Sequence, residues 1–239
     1  MGQLYVDTIE PQSGTALTVG ESGQNTVLAG NDLRANVVQD AGGNAIFTSN
    51  GSGTLSGVNS AFGSARVLLQ TTALTNVATC EYTSISNTYN HYIFTFYGYQ
   101  PATNNTALNV QFSTNGGSSY GISTTDTVYQ TAHDNANSYT DFQYLSSEDH
   151  ASDTGFIQLG HTVGSDPKEC GVYEFHLFDP ASTNFTYWIC KAQVYTYHDF
   201  SAFWGLSGQI QSTTAIDAIQ FKSSSGNIDL GTFKVWGLL

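Results

Sequence analysis

Apolar and polar residues alternate along much of this chain, a pattern that indicates β-strands with one buried face. The clearest example lies near the C-terminus, where Ile219 and Phe221 alternate with polar residues. Turn-forming residues follow from 223 to 227, and a second, closing strand is predicted to pair with the first as a hairpin. The apolar phase of this closing strand slips at Gly231, which predicts a β-bulge at that position.

Further strands are predicted between residue 65 and this C-terminal stretch. Residues 89–99 form the strongest apolar run, with Tyr92, Phe94 and Phe96 on one face and Ile93, Tyr97 and Tyr99 on the other. A strand that is apolar on both faces is usually central in its sheet, or is buried between a sheet and a subunit interface. Residues 172–178 and 185–197 alternate cleanly. The spacing of about ten such strands predicts a jelly-roll-like antiparallel β-sandwich.

One long segment lacks any clean period. Residues 115 to about 153 are polar, contain glycine and carry scattered aromatic side chains. Segments of this kind in compact domains are usually functional or disordered loops, so a loop is predicted here.

Residues 1–60 differ from the rest of the chain, because short apolar groups recur roughly every nine residues between turn formers. The apolar positions predicted to form the core of a shaft are Leu17, Val19, Val27, Val37, Ile46 and Leu55. So few large side chains cannot close a core in a single chain. The segment is therefore expected to dock on the following domain or to wind around identical chains. A flexible linker is the alternative.

The pattern along the chain predicts a repetitive N-terminal shaft (1–60) and a C-terminal sandwich (61–239), and the composition supports the all-β class. Charged residues make up 10% of the 239 residues, hydrophobic residues 40% and aromatic residues 13%, so strong helix formers are scarce. No secretory signal and no apolar run of about 20 residues is found, and membrane insertion is not expected.

The formal charge of −13 makes nucleic acid an improbable partner, since such a chain repels phosphate backbones. Cys80, Cys170 and Cys190 are odd in number and lack CxxC spacing. They are predicted to be buried free thiols of a protein folded in a reducing cytoplasm, rather than disulfides or zinc ligands.

Acidic residues cluster between positions 141 and 153, at Asp141, Glu148, Asp149 and Asp153, with His150 among them. Several carboxylates on one loop could bind a divalent cation, although a solvated acidic loop is favoured. A pair of these acids could also hydrolyse glycosides, but sequence spacing does not show their separation in space. No nucleophile elbow or phosphate-binding loop occurs. Neither an enzyme nor a cofactor is expected.

Recognition of another molecule is the remaining function. The candidate receptor-binding residues are Tyr120, Tyr139, Asp141, Phe142 and Tyr144, which combine rigid aromatic area with adaptable hydrogen bonding. Alternatively, these tyrosines pack the segment onto its own sandwich or onto a neighbouring subunit.

Several stretches resemble the fibre proteins of tailed bacteriophages. Those near the C-terminus resemble the terminal hairpin of fibre-tip β-sandwiches, and the opening ones resemble the lead into a trimeric β-shaft. The matching stretches are 6–11, 14–20, 89–94, 109–117, 214–221, 225–228 and 231–237.

The resemblance implies a virion structural protein made in the host cytoplasm. It would be a homotrimeric tail fibre, attached to another virion protein through its N-terminal residues, with the sandwich adhering to a host-surface glycan or other receptor. Many weak contacts across three subunits would supply avidity. A capsid-attached head fibre or decoration protein and a polysaccharide-degrading fibre are the alternatives.

Overall fold

The computed structural model describes residues 37–39, 42, 44–49, 55–56 and 66–238. These residues form sixteen β-strands. They contain no helix of the length and apolarity needed to cross a membrane. The chain divides into two compact units, Met1–Asn59 and Ser60–Leu239.

The first unit contains a three-stranded antiparallel sheet, made of β1 (Val37–Gln39), β2 (Ala45–Ser49) and β3 (Leu55–Ser56) in that order. Short strands thus lie at three of the predicted shaft positions, whereas Leu17, Val19 and Val27 are outside the described residues. Val37 is exposed and Ile46 is half-buried, and no side chain described in this sheet is buried. That these strands wind around identical chains stays a prediction.

The second unit is an antiparallel β-sandwich of two unequal sheets, which confirms the predicted fold class. The nine-stranded sheet contains β4 (Val67–Val77), β6 (His91–Pro101), β8 (Thr124–Asp134), β9 (Thr140–Tyr144), β10 (Ala151–Asp153), β12 (Gly171–Phe178), β13 (Thr186–Tyr195), β14 (Phe200–Ile210) and β16 (Ile228–Leu238). The four-stranded sheet contains β5 (Cys80–Tyr82), β7 (Leu108–Ser113), β11 (Ile157–Gln158) and β15 (Ala218–Ser223). The large sheet runs β10-β8-β14-β13-β12-β6-β16-β4, with β9 also paired to β8, and the small sheet runs β11-β7-β15-β5.

Aromatic side chains hold the two sheets together. Phe94 and Phe96 of β6 contact Phe221 of β15, with ring centroids 5.9 and 4.9 Å apart. Phe175 of β12 lies 5.9 Å from Phe112 of β7. All five rings are buried. This burial confirms the inward face predicted for β6, and β6 is central, between β12 and β16.

A β-bulge in β6 corrects the predicted orientation of Tyr99. Leu230 of β16 pairs with Gln100 and Thr232 with Tyr97, so β6 has one extra residue between these pairs. Gly98, with φ +64°, takes up this extra residue in the left-handed region. Tyr99 therefore points into the core instead of sharing the outer face with Tyr97. Its hydroxyl lies 2.9 Å from the Ser223 hydroxyl.

The C-terminal strands do not form the predicted hairpin. β15 belongs to the small sheet and β16 to the large one, so the turn between them carries the chain across the core. Phe221 and Phe233 both point inward, with ring centroids 5.7 Å apart. In a hairpin the two strands would be neighbours in one sheet, whereas here the two rings meet across the core from opposite sheets. The pairing with β6 shifts on both sides of Leu230, near the bulge predicted at Gly231. The extra residue opposite Gly231 belongs to β6, however, and β16 pairs with β4 in regular register there.

The predicted loop between 115 and 153 is wrong, since this segment contains β8, β9 and β10. β8 alternates regularly between buried and accessible residues. Three of its inward side chains are polar, namely Thr124, Asp126 and Gln130, and all three are buried. Apolar periodicity cannot detect a strand whose buried face is polar.

The three cysteines have free thiols, as predicted. Cys80 and Cys190 are buried, whereas Cys170 is only half-buried.

Replacing Gly98 tests the bulge. A Cβ at this position would meet no atom within 4 Å, so Gly98→Ala changes only the backbone preference. We expect a loss of about 1 kcal/mol in the free energy of unfolding, measured by urea denaturation. Gly98→Asn should cost less, because asparagine tolerates the left-handed region. Equal stability of Gly98→Ala and the wild type would show that the bulge does not form.

Candidate functional site

A cavity of about 370 Å³ opens at one end of the sandwich. It lies between the inner side of β8, β9 and β14 in the large sheet and the chain that leaves β11 of the small sheet. Its lining side chains combine aromatic rings with amide, hydroxyl and carboxylate groups. They are Gln130, Tyr139, Gln143, Leu145, Glu148, Gln158, His161, Thr162 and Trp204.

Tyr139 is positioned by the tight connection between β8 and β9. The Asp134 carboxylate accepts hydrogen bonds from the backbone N–H groups of Ser138 and Tyr139, at 2.8 and 3.1 Å. The Tyr139 ring packs on Phe200, 5.3 Å between centroids, and 42% of the residue remains exposed. Partial burial and the neighbouring Asp141 carboxylate raise the pKa of the Tyr139 hydroxyl, so it remains a hydrogen-bond donor at neutral pH.

A chain of hydrogen bonds fixes the floor of the cavity. The indole N–H of Trp204 donates to Oε1 of Gln130 at 2.7 Å, and Nε2 of Gln130 donates to Oδ2 of Asp141 at 2.8 Å. Trp204 and Gln130 are both about 3% exposed, so neither can exchange this partner for water. The indole can only donate, and this determines which end of the Gln130 amide faces it. Gln130 thereby holds Asp141 at the cavity edge.

The opposite wall comes from the chain that follows β11. Nε2 of Gln158 donates to the carbonyl of Gly160 at 3.0 Å, which leaves the amide oxygen as an acceptor for a ligand. His161 packs edge-on against Trp204, 6.1 Å between ring centroids. Burial lowers the pKa of His161, and the ring is therefore neutral at pH 7. A neutral imidazole can donate and accept hydrogen bonds without imposing a charge.

A buried acidic group anchors the segment that carries Glu148. Asp126 is 4% exposed, and its Oδ1 accepts from the backbone N–H of His150 at 3.2 Å. Oδ2 lies 3.0 Å from Nδ1 of His150. Burial raises the pKa of Asp126 to about 6, against the opposing effect of His150. The Asp126 contact holds β10 and the preceding turn against β8.

The predicted receptor-binding residues do not form one site. Tyr139 lines the cavity and Asp141 lies at its edge, whereas Phe142 and Tyr144 point to the outer face of the large sheet. Alternation along β9 causes this separation, because successive side chains leave opposite faces. Tyr120 lies elsewhere, against Gly117 and Thr83 near the small sheet.

Several lining residues were not predicted. Three of them are distant from Tyr139 in the chain: Trp204 on β14, Gln158 on β11 and His161 just after β11. The sequence offers one signal for Trp204, a large aromatic residue at an inward position of a strand, but this signal is shared with every core residue.

The acidic cluster does not converge on a cation. Asp141 accepts from Gln130, the Tyr144 hydroxyl donates to Asp149, and Asp153 accepts from the backbone of Gly155. Within the described part of the chain, no three His, Cys, Asp or Glu side chains come close enough to hold a metal ion. The carboxylates of Asp141, Asp149 and Asp153 are instead held by separate protein partners.

The cavity suits a hydroxyl-rich ligand. The accessible Tyr139 ring offers an apolar face, while the Gln143 and Gln158 amides and Thr162 offer donors and acceptors around it. Pockets that bind small ligands commonly combine an apolar wall with a few fixed polar groups in this way. Glu148 adds a carboxylate that can accept hydrogen bonds from hydroxyl or ammonium groups. Among the described lining residues it is the sole carboxylate.

In comparisons with known proteins, no protein-family model, curated protein or solved structure matches the chain.

Gln130→Leu tests the buried hydrogen-bond chain. The substitution leaves the Trp204 N–H without its acceptor and frees Asp141, so we expect unfolding to become easier by about 2 kcal/mol in urea denaturation. Gln143→Leu is the matched control, because Gln143 pairs directly with Gln130 across β8 and β9 but is exposed. It should change stability by less than about 0.5 kcal/mol. Similar values for both variants would contradict the buried network.

Asp126→Asn tests the anchoring contact through its pH dependence. The folded wild type retains the Asp126 proton up to about pH 6, whereas the unfolded chain loses it near pH 3.8. Stability from this group is therefore greatest at low pH and is lost as the pH rises through 6. The wild type should lose about 1 to 2 kcal/mol relative to Asp126→Asn between about pH 4.5 and pH 7.5, measured by urea unfolding. Asp229→Asn, a change on β16, is the control. A pH-independent difference between wild type and Asp126→Asn would rule out the raised pKa.

Proposed function

We propose that this protein is a homotrimeric fibre protein of a tailed-phage virion whose sandwich domain adheres to a host-surface glycan. The cavity between β8, β9, β14 and the chain after β11 binds a sugar unit of that glycan. The resemblance of the sequence to phage fibres suggests the setting. The observation that supports glycan binding is the set of side chains that line the cavity.

The chemical groups of a sugar match the side chains that line the cavity. Sugars present a C–H face that packs on aromatic rings, and Tyr139 offers an accessible ring at the mouth. Their hydroxyl groups need donors and acceptors held in place. Gln158 and Thr162 on one wall and Gln143 on the other provide these groups. The space of about 370 Å³ falls within the range of small-ligand pockets.

Charge favours a neutral or amino sugar over an acidic one. Glu148 lines the cavity, and Asp141 lies at its edge through its bond to Gln130. The whole chain carries a formal charge of −13. A uronic or sialic acid would place a carboxylate close to these groups, and like charges repel in a partly desolvated site.

The trimer supplies the strength that one shallow site lacks. No side chain described in the sheet of β1, β2 and β3 is buried, and identical chains would provide the missing partner surface. Three sandwich domains on one shaft would convert weak sugar contacts into firm attachment.

Two alternative functions can be distinguished from a tail fibre by experiment. A capsid-attached head fibre or decoration protein would place gold-labelled antibodies over the head instead of the tail tip. A polysaccharide-degrading fibre would shorten an added glycan, which a cleavage assay detects. Glycoside hydrolysis normally uses two carboxyl groups. Glu148 lines the cavity, whereas the second carboxylate at its edge, Asp141, is engaged by the buried Gln130 amide, and this favours binding over cleavage.

The oligomeric state is tested by light scattering on the purified full-length protein. We expect a mass of three times 25.7 kDa that persists on dilution. A monomer with a protease-sensitive N-terminal segment would contradict the fibre and leave a single sandwich domain as the unit to study.

Tyr139→Ala tests the cavity. Binding partners are first found on an array of bacterial surface oligosaccharides, and the affinity of a soluble hit is then measured by calorimetry. Loss of the aromatic wall should weaken binding at least about tenfold. Phe142→Ala is the matched control, an exposed aromatic of the same segment on the opposite face, and should leave the affinity for the free sugar unchanged. Equal affinities of both variants would exclude the cavity as the sugar site.

A further inference from the structure

A series of aromatic side chains continues the wall of the cavity. Tyr139, which lines the cavity, lies 5.3 Å from Phe200 between ring centroids. His198 lies 6.3 Å from Phe200, with the two ring planes 9° apart, and Tyr197 packs on His198 at 3.7 Å. Tyr139, Phe200, His198 and Tyr197 are called the aromatic row. It begins at the cavity and ends on the turn between β13 and β14.

His161 joins the aromatic row to the opposite wall of the cavity. Its ring lies 5.1 Å from Phe200 and 6.1 Å from Trp204, between ring centroids. Phe200 therefore contacts one residue of each wall, Tyr139 on one side and His161 on the other. The aromatic row is thus continuous with the cavity and is not a separate patch.

A tight turn holds the outer end of the aromatic row. The buried Thr196 hydroxyl accepts hydrogen bonds from the backbone N–H groups of His198 and Phe200, at 3.3 and 3.4 Å. The Thr196 N–H donates to the carbonyl of Phe200 at 2.9 Å, and the Asp199 N–H donates to the carbonyl of Thr196 at 3.0 Å. A platform that is already ordered loses little conformational entropy when it binds a ligand.

Polar groups accompany the rings at this turn. The Tyr195 hydroxyl donates to the carbonyl of Asp199 at 3.1 Å and accepts from Nδ2 of Asn135 at 3.1 Å. Nζ of Lys168 lies 3.1 Å from Oδ1 of Asp199, and these side chains are 66 and 64% exposed. An ion pair this exposed is weak, so both of its groups stay accessible to the hydroxyl groups of a ligand. The turn therefore offers fixed donors and acceptors beside its aromatic surface.

We propose that the aromatic row binds further units of the glycan, so that the protein holds a chain of several sugars and not a single terminal one. The proposal rests on the proposed function. Each step between Tyr139, Phe200 and His198 is similar to the length of one sugar unit, so successive units can pack their C–H faces along the row. Packing of the turn on its own domain does not require the His198 ring, because that residue is exposed.

A series of ligand lengths tests the aromatic row on the full-length protein. Oligosaccharides of one, two, three and four units are prepared from the polysaccharide that the array identifies, and calorimetry measures the affinity of each. We expect three units to bind at least about tenfold more tightly than one. His198→Ala should remove this gain and leave the affinity for one unit unchanged. His133→Ala is the matched control, an exposed histidine on the outer side of β8, and should keep the full gain.

The outcomes separate this inference from the proposed function. Equal affinities for one and three units in the wild type overturn binding along the row and leave a cavity that takes a terminal sugar. A gain with length that persists in His198→Ala also overturns it, because the chain then leaves the cavity along another surface. Failure of every sugar on the array to bind contradicts the proposed function itself. Thermal unfolding checks that both variants fold like the wild type.

Nuclear magnetic resonance of the histidine rings gives a second measurement on the wild type. The Cε1–H resonance of His198 is assigned with His198→Gln, which keeps a polar side chain at this exposed position. Three sugar units should shift the resonances of both His198 and the cavity residue His161, whereas one unit should shift only that of His161. The resonance of His133 should not respond to either ligand. An unchanged His198 resonance with three units bound would contradict the contact, whatever the affinity.

Discussion

The contact of Phe221 with the large sheet is the interaction on which the rest of the sandwich depends. Its ring lies between 4.9 and 6.2 Å from those of Phe94, Phe96, Phe175 and Phe233, on three different strands. Aromatic side chains bury the most apolar area per residue, and their removal from a core costs several kcal/mol. Two sheets of unequal width are joined at this point. The wider sheet extends past the narrower one, so part of its inner face has no opposing strand to pack against.

Polar side chains occupy the inner face of the large sheet where it extends past the small one. Along β8, Asp126 and Gln130 occupy inward positions that hydrophobic residues hold elsewhere in the sheet. Oδ1 of Asp126 and both ends of the Gln130 amide have hydrogen-bond partners. A polar inner face that is not fully packed leaves room for a cavity whose polar groups can bind water or a ligand. The proposed sugar site is thus a consequence of the mismatch between the two sheets, and the Trp204–Gln130–Asp141 chain makes it rigid.

Strand β9 contributes to two surfaces at once. Asp141 borders the cavity, while Phe142 and Tyr144 point to the outer face of the large sheet. A strand on the edge of a sheet gives its two faces to two different neighbours at little cost.

The sequence by itself determined the all-β class and the inward faces of β12, β13 and β15, because a scarcity of helix formers and a period of two are local properties. It also predicted the free cysteines, from their odd number and spacing. It also identified Tyr139 and Asp141 as candidates for recognition. Tertiary structure alone decided three other features: the partition of the C-terminal strands between two sheets, the inward turn of Tyr99, and the strand character of β8. Each depends on contacts between residues distant in the chain. Inward polar side chains become visible as a strand only when their hydrogen-bond partners are in place, and no periodic pattern in the sequence records those partners.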